Sequence, residues 1–420
     1  MRDDNTLAGA AAHGRQADSA SMSAQPQAHA PRLWLAITLV LVGMNLRPAL
    51  SSMGAVLDAV SKATGMSSAA AGMLTTLPIL CFGLFAPFAP RLARRASPEF
   101  IILASLLILA GSMGLRVLSG IAGLFAGTLV VGASISVVMV LVPGIIKREF
   151  ADRTGLAMGL YSTALCLGSA LSAGATVPVQ NLAGGDWRYA LAFWLLPVLA
   201  AALAWWPQLR HGAQRAAAAH YTVRGMHSSA LAWQVTAFMG SQSALAYCVF
   251  GWLPTILIDR GMAPLDAGYV LSVSIAVQQI TALSAPWFST RGKDQRLAIA
   301  LLAVMSLAGL LGCLYAPIGA LWTWSILLGL GQGGCFSIAL TLIVLRARDA
   351  HVAAALSGMA QGFGYTIAAC GPLVVGVLHD ATHGWDEVAV FFTAISLAVL
   401  VSGLLAGRNR YVDAQVVRSD

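Results

Sequence analysis

Arg47 is the residue whose type and position in the sequence most strongly suggest a chemical role. It is the only Lys, Arg, Asp or Glu well inside a stretch that is long and apolar enough to cross a membrane. A charged side chain at the centre of such a helix costs about 2.5–3.5 kcal/mol unless it faces water, a partner or a ligand. At a rise of about 1.5 Å per residue it lies about 20 Å along its helix, so its charge does not easily reach the near surface.

Two interpretations of Arg47 are open on the sequence alone. In the first, backbone carbonyls and Asn45 satisfy the guanidinium, or the side chain reaches the membrane rim. In the second, Arg47 is a fixed positive charge in a cavity, where its planar donors suit the oxygens of a nitro group, a carboxylate or a linear anion. Pro48 removes the hydrogen bond to the Met44 carbonyl and favours a kink beside Arg47.

Neutral polar side chains in other apolar stretches complete the candidate site. Hydrogen bonding between helices is the alternative explanation for each of them taken singly. Together they predict a polar cavity, with no catalytic residue, no metal and no cofactor. The predicted substrate-binding residues are Arg47, Asn45, Thr76, Tyr161, Gln242, Tyr247, Gln278, Gln332, Gln361 and Tyr365.

The composition indicates which solvent surrounds the elements that hold these residues. Hydrophobic residues make up 58% of the 420 positions and charged residues 10%, whereas soluble domains carry about 25% charged residues. A soluble globule of this length still needs a polar exterior. A chain with this high apolar content is therefore typical of a membrane protein. The sequence therefore predicts an all-α membrane protein.

Twelve membrane-spanning helices are predicted, because each span needs about 20 mostly apolar residues. The uncharged interval 297–345 is too long for one helix and divides at the turn signal 316–319, which contains Pro317 and Gly319. The predicted spans are 33–57, 69–90, 99–116, 120–144, 154–178, 188–207, 229–256, 266–288, 297–315, 320–345, 352–378 and 387–406.

The basic residues fall mainly on one side of these spans. The sequence has 25 Lys and Arg residues, and apart from Arg47 the exceptions are Lys62, Arg116, Arg188 and Arg260. All the others lie before span 1, after span 12 or in every second connecting segment. Because cytoplasmic loops carry an excess of Lys and Arg, both termini are predicted to be cytoplasmic.

An internal repeat divides the chain into two halves. Gly65 and Gly72 recur as Gly261 and Gly268, 196 residues later, and a second offset of 199 relates Pro87 to Pro286 and Gly159 to Gly358. A parallel duplication of six helices is the organisation of the major facilitator fold, with the binding site between the halves. The predicted segments are a flexible cytoplasmic tail 1–32, a six-helix bundle 33–207, a cytoplasmic linker 208–228, a six-helix bundle 229–406 and a cytoplasmic tail 407–420.

Several motifs in order resemble one family of transporters. The first is Asn45-Leu46-Arg47-Pro48-Ala49, and the others are the segments 71–78, 81–87, 147–148, 159–162, 329–334, 341–346 and 357–361. Over most of 33–406 the chain resembles the cyanate/2-nitroimidazole transporter (CynX/NimT) branch of the major facilitators. The basic loop 91–95 resembles only a degenerate form of the general motif after the second helix, because it lacks the usual Asp.

The resemblance implies transport, not enzymatic activity, and a small polar or anionic solute that is cyanate- or 2-nitroimidazole-like. The alternative is a proton-coupled multidrug exporter of the same superfamily, although no Asp or Glu lies mid-membrane to relay protons. The expected location is the bacterial inner membrane, in several passes. The expected partners are a small-molecule substrate and the lipid bilayer, with no nucleic acid, and the expected state is a monomer.

Overall fold

Long apolar helices make up nearly all of the fold. The computed structural model describes residues 29–210 and 221–418, and these ranges contain twelve helical segments long and apolar enough to cross a membrane. The predicted number of spans is therefore confirmed. Residues 1–28, 211–220 and 419–420 lie outside the described residues, and with them most of the predicted tail 1–32, the middle of the linker 208–228 and the end of the tail 407–420.

The first half holds spans 1 to 6, and three of them (1, 2 and 6) are interrupted. Span 1 consists of His29–Leu46 and Pro48–Ala55, and a short helix, Leu57–Thr64, follows it. Span 2 runs from Ser68–Phe85 through the 3-10 turn Ala86–Phe88 into Ala89–Leu92. Spans 3 to 6 are Pro98–Leu118, Gly120–Glu149, Thr154–Leu182, and the pair Trp187–Phe193 and Leu195–Trp205, with a 3-10 turn Ala151–Arg153 before span 5.

The second half holds spans 7 to 12, each a single helix. They are Ala230–Asp259, Pro264–Ser289, Arg296–Tyr315, Leu321–Leu345, Ala350–Thr382 and Asp386–Ala406, with a 3-10 turn Ile318–Ala320 before span 10. Polar side chains at helix starts take up free backbone N–H groups, as where Asp349 accepts from His351 and Val352 at 2.8 and 3.0 Å.

Two related contacts join the halves near the face that carries the Arg-rich loops 91–95, 153 and 291–296, called the basic face below. A Cβ atom at Gly159 of span 5 would lie 2.6 Å from the Leu283 carbonyl oxygen of span 8. At Gly358 of span 11 it would lie 2.9 Å from Pro90 of span 2. Only glycine permits these approaches, and the two glycines are the pair that the repeat relates.

Hydrogen bonds reinforce the same junction between the halves. The hydroxyl of Ser162 in span 5 donates to the Ala282 carbonyl of span 8 at 3.0 Å. The amide nitrogen of Gln361 in span 11 donates to the Met139 carbonyl of span 4 at 3.1 Å. At the opposite ends of spans 2 and 8, Cβ atoms at Gly72 and Gly268 would meet no other atom within 4 Å. The halves therefore touch closely on the basic face.

A short two-stranded ribbon on the basic face is an element that the sequence reading did not include. Tyr221–Arg224 pairs antiparallel with Gln415–Arg418. The chain leading into the second strand is fixed to the second half, because the N–H of Val412 donates to the Arg346 carbonyl at 2.8 Å and that of Asp413 to the Ser229 hydroxyl at 3.3 Å. The described part of the 407–420 segment is thus packed against the helices.

Candidate functional site

Arg47 lies at the interruption of span 1, where the sequence predicted a kink. The first helix ends at Leu46 and the next begins at Pro48, whose ring nitrogen carries no hydrogen. The Arg47 carbonyl starts the second helix by accepting from Leu50 and Ser51 at 2.9 and 3.1 Å. The break therefore sets both the depth and the direction of the arginine.

The preceding turn of span 1 is packed tightly against span 5. A Cβ atom at Gly168 would overlap the Met44 carbonyl, the acceptor that Pro48 leaves without its helical N–H. Only a glycine in span 5 allows that carbonyl to approach so closely. This contact fixes the broken segment of span 1 against span 5, and with it the base of the Arg47 side chain.

The guanidinium of Arg47 points between the two halves of the protein. Its central carbon lies 4.9 Å from the centre of the Phe336 ring, which belongs to span 10. Within residues 29–210 and 221–418 the side chain makes no hydrogen bond and no ion pair. The first interpretation of Arg47, in which carbonyls and Asn45 satisfy it, does not describe this geometry.

A small cavity of about 30 Å³ adjoins the guanidinium. The first half contributes Arg47 and Cys166 to its wall, and the second half contributes all the others. The lining residues are Arg47, Cys166, Gln242, Ser243, Ala246, Tyr247, Phe250, Gln278, Gln332, Phe336 and Tyr365. The positive charge thus comes from one half, and most of the uncharged polar groups come from the other.

Several polar atoms around the cavity are buried and have no hydrogen-bond partner in residues 29–210 and 221–418. These are both amide atoms of Gln332, the amide nitrogen of Gln278 and the hydroxyl of Tyr365. Gln242 differs, because its amide nitrogen donates to the Ser243 hydroxyl at 2.7 Å and to the Met239 carbonyl at 3.2 Å. A buried polar group without a partner costs about 1–3 kcal/mol, so a ligand or water that paired with these atoms would be strongly favoured.

Aromatic side chains form one wall of the cavity. The Tyr247 and Tyr365 ring centres are 6.4 Å apart, and those of Tyr247 and Phe250 are 6.5 Å apart, both pairs in tilted or edge-on arrangements. Phe336 covers the guanidinium from span 10. The cavity therefore combines one cation, several amide and hydroxyl groups and a flat apolar wall.

The structure brings together most of the predicted site residues but not all. Four of them do not line the cavity. Asn45 donates to the Leu41 carbonyl at 2.8 Å, Thr76 to the Gly72 carbonyl at 2.9 Å, and Gln361 to Met139 and Ser357. Tyr161 is buried, and its hydroxyl has no hydrogen-bond partner among the described residues. The binding role of these four stays a prediction.

The cavity also contains residues that the predicted set lacked. Ser243 is the residue that the 196-residue offset pairs with Arg47, so the repeat carried a signal for it. Ala246 and Phe250 follow Gln242 at intervals of four, and Phe336 follows Gln332 at the same interval, which places each on the face of a predicted residue. Nothing in its type or spacing singled out Cys166.

Comparisons with known proteins agree with the architecture. The family model of the Major Facilitator Superfamily matches residues 33–369. The structure of FucP, a Major Facilitator Superfamily transporter in the outward conformation, superposes with a TM-score of 0.70 at 12% identity, covering 89% of this chain and 99% of that one. The predicted fold of twelve helices in two related halves is confirmed.

Two curated relatives from Escherichia coli (strain K12) cover most of the chain. The 2-nitroimidazole transporter is 37% identical over 384 residues, which are 91% of this chain and 97% of the relative. The cyanate transport protein CynX is 32% identical over 354 residues, which are 83% of this chain and 91% of the relative. The resemblance to that branch is confirmed, and with it a transport protein instead of an enzyme. The chain belongs to the Major Facilitator Superfamily and is a multi-pass transporter of the bacterial inner membrane.

Proposed function

We propose that this protein is a secondary active or facilitative transporter of a small polar or anionic solute, cyanate- or 2-nitroimidazole-like, and that Arg47 is its central binding charge. One observation carries the proposal: a guanidinium without a hydrogen bond or ion pair in the described chain lines a cavity between the two halves. The names of the relatives supply the solute class.

The charge of Arg47 gives the solute its strongest contact. A charge at this depth needs compensation, and no acidic side chain lies among the described residues that line the cavity. Oxygens of an anion or a nitro group would accept hydrogen bonds from the guanidinium. The free groups of Gln278, Gln332 and Tyr365 would then pair with the rest of the solute, as donors or acceptors.

The size of the cavity separates this proposal from the multidrug exporter. Pockets for drug-sized ligands enclose about 300–1,000 Å³, and the cavity beside Arg47 encloses about 30 Å³. A solute of a few heavy atoms requires a modest expansion of such a space. A broad-specificity pocket would require the lining helices to separate widely, so we favour the small solute.

Alternating access supplies the transport step of the proposal. The moving bodies are residues 33–207 and 229–406, joined by the linker 208–228, and the site lies between them. Close contacts such as Gly159 against Leu283 hold the halves together on the basic face. Assigning that face to the cytoplasm by its Lys and Arg content makes this the outward-facing conformation. Breaking these contacts would expose Arg47 to the other side.

Thermal unfolding of the purified protein with a ligand panel tests the binding charge. Cyanate, 2-nitroimidazole and neutral imidazole are titrated against the wild type, Arg47→Ala and Arg47→Lys. Cyanate or 2-nitroimidazole should raise the unfolding temperature of the wild type. Arg47→Ala should weaken the affinity about 30-fold or more, since losing a buried charge contact costs about 2 kcal/mol or more. Arg47→Lys should keep the response to cyanate in part, because it keeps the charge and loses the fork.

The matched control is Arg95→Ala, which removes an equal charge from the basic face. It should respond to each ligand as the wild type does. Equal stabilisation of the wild type and Arg47→Ala would overturn the assignment of Arg47. Stabilisation by neither solute would overturn the solute class instead.

A further inference from the structure

A cleft on the basic face shares no lining residue with the cavity beside Arg47. It has a volume of about 350 Å³ and lies between the end of span 2 and the start of span 11. The segment after the first ribbon strand closes its third side. The lining residues are Pro87, Pro90, Arg91, Ala93, Arg94, Val223, Gly225, Met226, His227, Ser228, His351, Ala354, Ala355, Gly358, Met359 and Phe363.

The cleft is positively charged. Arg91 and Arg94 supply this charge from the first half, and none of the described lining residues is acidic. Arg91 donates to the Pro87 carbonyl at 3.1 Å, which leaves its other donors available, and Arg94 has no hydrogen bond or ion pair in the described chain. The nearby carboxylate of Asp349 is occupied by the backbone N–H groups at the start of span 11.

An apolar and aromatic edge adjoins this charge. Phe363 and Trp233 are exposed, with ring centres 5.2 Å apart, and His227 meets Phe363 edge-on at 6.3 Å. The indole N–H of Trp233 donates to the His227 carbonyl at 2.8 Å, which fixes the ring beside the cleft. An exposed Trp at the end of a span, such as Trp233 at the start of span 7, lies at the level where lipid headgroups meet acyl chains.

We infer that this cleft binds the headgroup of an anionic phospholipid. The phosphodiester would receive hydrogen bonds from Arg91 and Arg94, and the acyl chains would follow Phe363 and Trp233 into the bilayer. Basic pockets between spans on the cytoplasmic side of a membrane, to which the Lys and Arg content assigns the basic face, are suited to anionic headgroups. Charge complementarity explains the arginines, and the aromatic edge explains why a lipid is favoured over a free anion.

The position of the cleft gives the lipid a structural consequence. Pro90 and Arg91 belong to span 2, and Gly358 and Phe363 to span 11, so an occupant contacts both halves where they already touch. A bound lipid would therefore stabilise the conformation with a closed basic face. Only this consequence rests on the alternating access proposed above, and the binding itself does not.

Native mass spectrometry of the delipidated full chain in detergent tests the binding. Phosphatidylglycerol and phosphatidylcholine with identical acyl chains are titrated separately. The wild type should retain phosphatidylglycerol preferentially, and the double variant Arg91→Gln/Arg94→Gln should bind it about 10-fold more weakly or worse, because each arginine near the surface adds to headgroup attraction. The control Arg95→Gln/Arg153→Gln loses the same charge outside the cleft and should bind as the wild type.

Two further arms complete the test. Ser228→Trp fills the cleft without changing its charge and should also lower phosphatidylglycerol retention. Inorganic phosphate should compete only weakly, because it has no acyl chains. Unchanged binding by Arg91→Gln/Arg94→Gln, or equal retention of the two lipids, would overturn the inference. Phosphate that displaced phosphatidylglycerol at equal concentration would overturn the lipid as the occupant.

Discussion

Arg47, which is half-buried, and Arg116, which is buried, are two arginines of the first half in opposite circumstances. Arg116, at the end of span 3, is 2% exposed and donates to the Ala49 carbonyl of span 1 at 2.6 Å. Arg260, at the end of span 7, makes equivalent contacts in the second half. It donates to the Cys313 carbonyl at 2.5 Å and to the Ala316 carbonyl. Arg47 has no such acceptor in the described chain.

The difference separates arginines that hold helices together from one that is available to a solute. Span 1 joins span 3 through Arg116, and the repeat-related spans 7 and 9 are joined through Arg260. Ala316 and Cys313 lie at the end of span 9, where carbonyls lack helical partners. Burial alone therefore does not mark a binding arginine, and the role proposed for Arg47 rests on its lack of an acceptor in the described chain.

The largest expected effect that tests this difference is the loss of Arg116. Arg116→Ala removes a hydrogen bond from a charged donor to the buried Ala49 carbonyl, which costs about 1.5–3 kcal/mol. We expect a lower unfolding temperature in detergent, with the response to cyanate or 2-nitroimidazole retained. Arg47→Ala should show the reverse pattern, an unchanged or higher unfolding temperature and a lost response.

The comparison would fail if the two variants behaved alike. A fall in stability for Arg47→Ala as large as that for Arg116→Ala would mean that Arg47 also holds helices together. Arg260→Ala is the second-half control and should resemble Arg116→Ala, because its guanidinium also bonds main-chain carbonyls.

Much of the architecture could be predicted because the bilayer imposes simple rules on the sequence. Length and the absence of charge located every span, and Pro48 marked the interruption of span 1. Arg47 stood out because a charge is rare at that depth. The repeat pairs Ser243 with Arg47, because two similar halves place equivalent residues on either side of the same cavity, but Ser243 was not among the predicted site residues.

The rest of the site depended on which way each side chain faces. Asn45 and Gln332 are both amides inside apolar helices, yet Asn45 bonds a carbonyl of its own helix and Gln332 lines the cavity. Residue type does not encode that choice, because a helix apolar on all sides has no polar face to orient it. Phe336 was missed for the same reason, since an aromatic residue in an apolar helix is unremarkable. The ribbon was missed because its pairing joins strands 195 residues apart in sequence.

A second, smaller effect concerns the amides. The amide atoms of Gln332 have no hydrogen-bond partner in the part of the chain that the structure describes, whereas Gln361 donates to Met139 and Ser357. Gln332→Leu should raise the unfolding temperature and weaken solute affinity about 5-fold, because it removes a buried unpaired group and one contact of about 1 kcal/mol. Gln361→Leu should lower the unfolding temperature and leave affinity unchanged. If Gln361→Leu weakened solute affinity and Gln332→Leu did not, the binding site would instead lie near span 4, where Gln361 contacts Met139.

The smallest expected effect comes from the ring that covers the charge. Phe336 lies 4.9 Å from the Arg47 guanidinium, and a cation–π contact of this kind is worth about 0.5–1 kcal/mol. Phe336→Leu keeps the apolar volume and removes the ring face, so solute affinity should fall about 2- to 5-fold in the same titration. Phe250→Leu changes another aromatic residue of the cavity wall that has no cation–π contact with Arg47 in the described chain, and it should change the affinity of cyanate less. Equal losses for the two variants would mean that wall shape, and not the orientation of Arg47, sets the affinity.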